Sequence, residues 1–134
     1  MAWSTSDLTN DTILNDGTGA MNHIASGTIY VGQAVYACCD DKVMITTSTA
    51  SECEAIGIAS INATNNERIG VYQYGNMVRC CIDAAGNPGV PVYGSDYGVL
   101  STTKGNAKKV AGYIIETPTL GVGGTNYVGK VLLV

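Results

Sequence analysis

The 134-residue sequence predicts an all-β fold: a single compact β-barrel or sandwich with an internal strand-turn-strand repeat and an extended N-terminal arm. Two observations predict it. Helical periodicity is nearly absent, and the apolar segments are short, β-branched and broken by glycine about every ten residues, the pattern of a sandwich or barrel. One pattern also occurs twice. Gly32-Gln33-Ala34-Val35-Tyr36, Val43-Met44-Ile45-Thr46-Thr47 and Ile56-Gly57-Ile58 are echoed by Gly89-Val90-Pro91-Val92-Tyr93, Val99-Leu100-Ser101-Thr102-Thr103 and Ala111-Gly112-Tyr113. The offset drifts only from 57 residues at the first glycine to 55 at the last, so one unit is used twice with its loops trimmed.

Taken in order, residues 1–26 differ in kind from the rest. They hold three acids and no Lys or Arg, lack strand alternation, and carry isolated large apolar residues at Trp3, Leu8, Ile13, Leu14 and Met21. Such a segment cannot bury enough of itself to fold alone. It reads as an arm with Trp3 as anchor on a neighbouring surface; a loose tail, or a strand packed on its own barrel, are the alternatives. The barrel domain then spans 27–134, with strands near 29–38, 42–47, 55–61, 69–74, 76–82, 98–102, 109–116 and 127–134. In 77–82 the alternation is explicit: Val78, Cys80 and Ile82 share one face, and Met77, Arg79 and Cys81 the other. Asp40-Asp41-Lys42 reads as a hairpin turn and Asn87-Pro88-Gly89 as a sharp turn. Gly75-Asn76 reads as a two-residue type II′ hairpin or as a bulge, with glycine supplying the positive φ. Gly121-Val122-Gly123-Gly124-Thr125-Asn126 is a flexible connection. The last strand, ending Val131-Leu132-Leu133-Val134, is so apolar that it must close the sheet or lie in an interface.

Composition narrows the function. A chain of this length has room for one domain with one real core. Charged residues make up 13% against 46% hydrophobic, yet no apolar run approaches the roughly 20 residues that cross a bilayer. The expectation is a soluble protein with no membrane partner, whose uncharged surface, rich in Ser, Thr, Asn and Gly, is partly covered by another protein. Residues 1–60 carry seven acids and one base, whereas 61–134 carry four acids and six bases. Those bases are scattered, with Lys108-Lys109 the one adjacent pair, so direct nucleic-acid binding is not expected. The N-terminus lacks the basic start and apolar core of a secretory signal, which points to folding in the cytosol. Five cysteines, with adjacent pairs at Cys38-Cys39 and Cys80-Cys81, make a poor disulfide framework because strand neighbours point to opposite faces. Free thiols are expected.

Catalytic chemistry finds little footing. His23 is the single histidine, and neither cysteine pair has the two to four intervening residues of a zinc knuckle, so no metal site is expected. The same residues lack the orienting partners of Cys-His nucleophilic catalysis. Glu52 and Glu54 flank a loop with few aromatics to stack on a sugar. Gly121-Val122-Gly123-Gly124 precedes a strand, whereas a dinucleotide loop opens a helix. The reading is a non-enzyme with no cofactor. Eight tyrosines against no phenylalanine suit aromatic rings with one end in water, as at interfaces. Tyr72 and Tyr74, on one strand face, are surface candidates; Tyr36 and Tyr93, equivalent in the two repeats, are packing residues.

In order and spacing, Gly32-Gln33-Ala34-Val35-Tyr36, Ala55-Ile56-Gly57-Ile58-Ala59, Arg68 to Val78 around Gly75, Pro88-Gly89-Val90-Pro91-Val92-Tyr93 and Lys109-Val110-Ala111-Gly112-Tyr113 resemble the small capsid decoration, or cement, proteins of tailed bacteriophages. The resemblance covers roughly residues 27–134. It implies a β-barrel structural protein of the virion, made in the host cytoplasm, that binds the outside of an assembled head and stabilises it by bridging capsomers. It also implies the major capsid protein and further copies of the chain, as a homotrimer, for partners, and no catalytic residues. The contacts expected with capsid or subunit are Trp3, Leu8, Ile13, Leu14, Tyr72 and Tyr74. A phage fibre or glycan-binding host-recognition module, and a small β-barrel enzyme, are the alternatives.

Overall fold

The repeat is realised as two closed rings. The computed structural model describes residues 20–121 and 127–134. Its strands are β1 (Ala20–Ala25), β2 (Ala34–Cys39), β3 (Lys42–Ile45), β4 (Gly57–Ala59), β5 (Arg68–Tyr72), β6 (Met77–Ile82), β7 (Pro91–Gly94), β8 (Leu100–Ser101), β9 (Gly112–Leu120) and β10 (Tyr127–Leu133), with one 3-10 turn at Asp96–Gly98. They close as β1-β3-β2-β4-β5 and as β10-β6-β8-β7-β9. The pairings correspond one to one. β1 runs parallel to β3 as β6 does to β8, and the remaining contacts are antiparallel in both rings. The all-β barrel architecture is thus present in tandem, and the unit that repeats is a whole five-stranded ring. Closure pairs both sides of the apolar β10, with β6 and with β9, so this aggregation-prone strand has no open edge.

Backbone geometry explains why the motif recurs. Gly32 and Gly89 have φ of 87° and 94°, a region that glycine enters without steric cost. They sit in turns closed by Gln33 N to Tyr30 O at 3.1 Å and Val90 N to Asn87 O at 3.2 Å, and their own amides donate to Ala59 O and Ile114 O. Gly57 and Gly112 lie against the adjacent strand: a Cβ there would strike the Tyr72 carbonyl oxygen in the first ring and the Leu132 carbonyl oxygen in the second.

The structure corrects four sequence-based expectations. Ala25 faces Val43 and Ile82 faces Leu100, so Val43 corresponds to Leu100 and not to Val99. Two apolar neighbours hid the one-residue slip: Leu100 points into the ring, and Val99 packs outside it with Val31 and Cys81. Residues 20–25, placed in the arm, form β1 between β3 and β5. Their alternation is weak because Met21 and His23, opposite Val71 and Ile69, lie toward the ring's open end, and of the strand's residues only Ala25, at its other end, is fully buried. Gly75 does not make a hairpin: β5 and β6 belong to different rings. The turn at Tyr74-Gly75, with Gly75 at φ 87° and Asn76 N bonded to Gln73 O at 3.3 Å, is the link between them. Finally, β7 was not foreseen. Its four residues begin with proline, which is tolerated at the first position of a strand.

Each ring has its own core. Ala25, Ile29, Val35, Val43, Ile69 and Val71 fill the first. Val78, Cys80, Ile82, Val92, Leu100, Ile114 and Val131 fill the second, as the alternation in 77–82 requires. Each buried Ile or Val contributes on the order of 1.5–3 kcal/mol. Ala34 and Ile58 of the first ring are buried in the second ring's core cluster, with Tyr72 packed against it, so the two rings share a hydrophobic seam.

Candidate docking surface

An apolar row runs across the outside of four strands of the second ring. Pro91 faces Tyr113, Tyr113 faces Leu132 and Leu132 faces Met77. Side chains opposite one another on paired strands share a face. Their strand neighbours Val92, Gly112, Val131 and Val78 point inward, so this row points out. Tyr113 is 40% exposed. Beside it, the link turn is stapled to the end of β10 by Gly75 N to Leu133 O at 2.8 Å and Leu133 N to Asn76 O at 2.9 Å, and Tyr74 there is 78% exposed. The next outward row along β6 and β9 is charged, with Arg79 Nη2 2.8 Å from Glu116 Oε1. At this exposure the ion pair contributes less than about 1 kcal/mol and chiefly borders the apolar row.

The corresponding row of the first ring has a different fate. Ala34 faces Ile58, Ile58 faces Tyr72 and Tyr72 faces Ala20. Of these, Ala34 and Ile58 are buried in the second ring's core cluster and Tyr72 is half-buried against it. Ala20, the last of the row, is exposed, and the counterpart on the second ring is uncovered at Tyr113 and half-buried at Pro91, Leu132 and Met77.

Polar contacts fix the seam around this apolar centre. Gln33, 3% exposed, accepts from Tyr30 N at 2.8 Å through Oε1 and donates from Nε2 to Tyr97 O at 2.8 Å. Buried Thr46 donates from Oγ1 to Ser95 O at 2.7 Å, and its carbonyl accepts from Gly98 N at 3.1 Å. The Glu54 carboxylate accepts from the amides of Lys108 at 3.0 Å and Lys109 at 3.3 Å. Glu52 takes the Thr47 hydroxyl at 3.0 Å. The acidic pair of the loop is therefore spent on structure. A cleft of about 110 Å³ at the seam, lined by residues including Ser48, Cys53, Ser95 and Lys104, is well short of the roughly 300 Å³ of ordinary ligand pockets. Among the described residues no three His, Cys, Asp or Glu side chains gather as metal ligands would.

Of the six expected contacts, Trp3, Leu8, Ile13 and Leu14 lie outside the described residues. Tyr74 is a surface residue, in the link turn and not on a strand face with Tyr72. Tyr72 departs from expectation: it belongs to the seam, because its row is the one the second ring covers. Sequence reasoning missed Tyr113, Leu132, Met77 and Pro91. The signal was present, since Met77 was already placed on the face opposite Val78, but β7 and the order of strands around the ring were needed to align the four. Cys80 and Cys81 point to opposite faces as expected, both buried, and burial pushes the Cys80 thiol up to about 12.

No protein-family model matches the chain, and no curated protein matches its sequence. Among solved structures the chain is similar to the N base of the head fibre protein gp8.5 of bacteriophage phi29, with a TM-score of 0.59 and 12% identity over 91% of this chain and 94% of that one. At that identity the two share a fold across nearly their whole lengths.

Proposed function

We propose that the chain is a structural, non-enzymatic protein of a phage virion, a decoration protein that attaches to the outside of the assembled head and bridges its capsomers. The observation that carries this reading is the outward Pro91–Tyr113–Leu132–Met77 row, half-buried except for exposed Tyr113, whose counterpart in the first ring places Ala34, Ile58 and Tyr72 against the second ring. The fold shared with a phage head-fibre base supports the setting. The partners in this reading are the major capsid protein and further copies of the chain in a homotrimer, with Tyr113 and Tyr74 as anchors: tyrosine gives a large rigid contact area at little entropic cost. A second reading, the base that seats a longer fibre on the head, is favoured by the same shared fold, and it uses the same attachment face.

The test is co-sedimentation of the purified chain with assembled heads that lack it. Saturable binding is expected. Tyr113→Ser combined with Tyr74→Ser should weaken it at least about thirtyfold, since truncating a central aromatic anchor costs about 2 kcal/mol or more. Unchanged binding by a folded double variant would remove this face from the account. Light scattering of the free chain should report three times 13.9 kDa.

A further inference from the structure

The end of the β2–β3 hairpin carries a feature that alternation forbids. Cys38 and Cys39 are adjacent on a strand, yet their Sγ atoms lie 3.1 Å apart. The pairing of β2 with β3 explains how. Ala37 faces Val43 and Cys39 faces Lys42, so the register slips between them and Cys38 is the extra residue of a β-bulge. A bulge re-aims side chains that regular pleating would send to opposite faces. Cys39 is exposed and Cys38 partly so, unlike buried Cys53, Cys80 and Cys81.

We propose that Cys38 and Cys39 form a dithiol site that chelates a soft, thiophilic centre with near-right-angle bonds, of the chemistry of a trivalent arsenical. Geometry separates this from the competing uses of two thiols. For bonds of about 2.3 Å to sulfur, donors 3.1 Å apart subtend roughly 85° at the bound atom, close to a pyramidal trivalent centre and short of the roughly 109° of tetrahedral zinc. A disulfide would need the sulfurs drawn to about 2.0 Å, across Cα atoms only about 3.8 Å apart, below the usual span of a disulfide. The chelate leaves the sulfurs nearly where they are. The bulge sets the two sulfurs side by side, and the weak S–H···S contact between them is the first cause of the raised Cys39 pKa. Soft sulfur donors select such centres over hard cations.

With phenylarsine oxide the step balances. Two S–H bonds and the arsenic–oxygen bond break, two As–S bonds form, and the oxygen leaves with both protons as water. There is no change of oxidation state. The reduced full chain is titrated with this reagent and followed by native mass spectrometry and a free-thiol count. A 1:1 adduct is expected, lighter than the sum of its parts by one water, with two accessible thiols lost together and restored by excess dithiol but not by equal monothiol. Cys38→Ser and Cys39→Ser should each weaken the adduct by about a hundredfold or more, the advantage of holding two donors on one frame. Both positions lie on an accessible hairpin end, and unchanged far-ultraviolet dichroism would verify folding. No adduct, an adduct of two reagents per chain, or one that survives either substitution would overturn the proposal.

Discussion

The two rings share strand order, pairing directions, glycine turns and glycine close approaches, but they differ in what covers their corresponding surfaces. Inward positions Val78, Cys80 and Leu133 of the second ring lie in a core that Ala34 and Ile58 of the first ring join. The corresponding positions of the first ring are Met21, His23 and Gln73: Met21 is 58% exposed, and the His23 and Gln73 side chains meet at 3.2 Å between Nε2 atoms. An inward position that will be covered by protein is apolar; one that stays wet is polar or adaptable. Charge follows the same division. Within residues 20–72 five acids face two bases, and within 77–133 three acids face five bases. The fold is common to both rings, and their surfaces differ.

The strongest way to break the symmetry is through the paired glycines. Gly57→Ala and Gly112→Ala each push a Cβ into a backbone carbonyl that cannot swing aside. Each should cost about 3 kcal/mol or more, read as a drop in denaturant midpoint. Similar losses from both are expected if the rings are equivalent; a neutral result at either would deny that its strand contact is as close as described.

The seam is next. Gln33→Val installs the residue that the second ring has at the corresponding Val90, and it leaves Tyr97 O and Tyr30 N without their partner. A loss of about 1–2 kcal/mol is expected, because the stranded groups are part-buried. Val90→Leu, at a position that makes no such bridge, should cost less.

Alkaline titration sharpens the comparison at Cys80, the counterpart of half-exposed His23. A thiol whose folded pKa is raised contributes stability below its unfolded value, and that stability is lost as pH rises through the folded one. The window runs from the ordinary thiol range to about 12. Cys80→Ala should flatten stability across it, as seen by denaturant melts at increasing pH. The smallest effect belongs to the first ring. Glu67 is held below the usual carboxylate range by the Thr64 hydroxyl and then the Thr64 amide. Its contribution is present above the unfolded value and lost as pH falls through the folded one, so Glu67→Gln should slightly reduce acid sensitivity.

The repeat itself was legible because its glycines answer to backbone constraints that any copy must meet: positive φ at Gly32 and Gly89, close approach at Gly57 and Gly112. The hairpin turn at Asp40-Asp41 was legible for the same local reason, with Asp41 at φ 56°. What stayed hidden depended on distant partners. β1 reads as polar because one end of its ring is open; Val99-Leu100 offers two registers that the partner strands β6 and β7 decide; Tyr72 is a surface residue until a second ring covers it. The thiol pair was hidden by a bulge, which appears in the pairing of two strands and not in the alternation of one. The docking row was hidden most deeply, since its four residues come from four segments that only ring closure aligns.

The central claim is that the outward row of the second ring, centred on Tyr113, is its attachment face, as the matching row of the first ring is in the seam. Cryo-electron microscopy of heads saturated with the chain tests it most directly. The account predicts two-ring density on the outer surface, with Met77, Tyr113 and Leu132 buried against a capsid or neighbouring subunit. Density in which that row faces solvent while another surface makes the contact, or heads that remain bare at saturating chain, would contradict it.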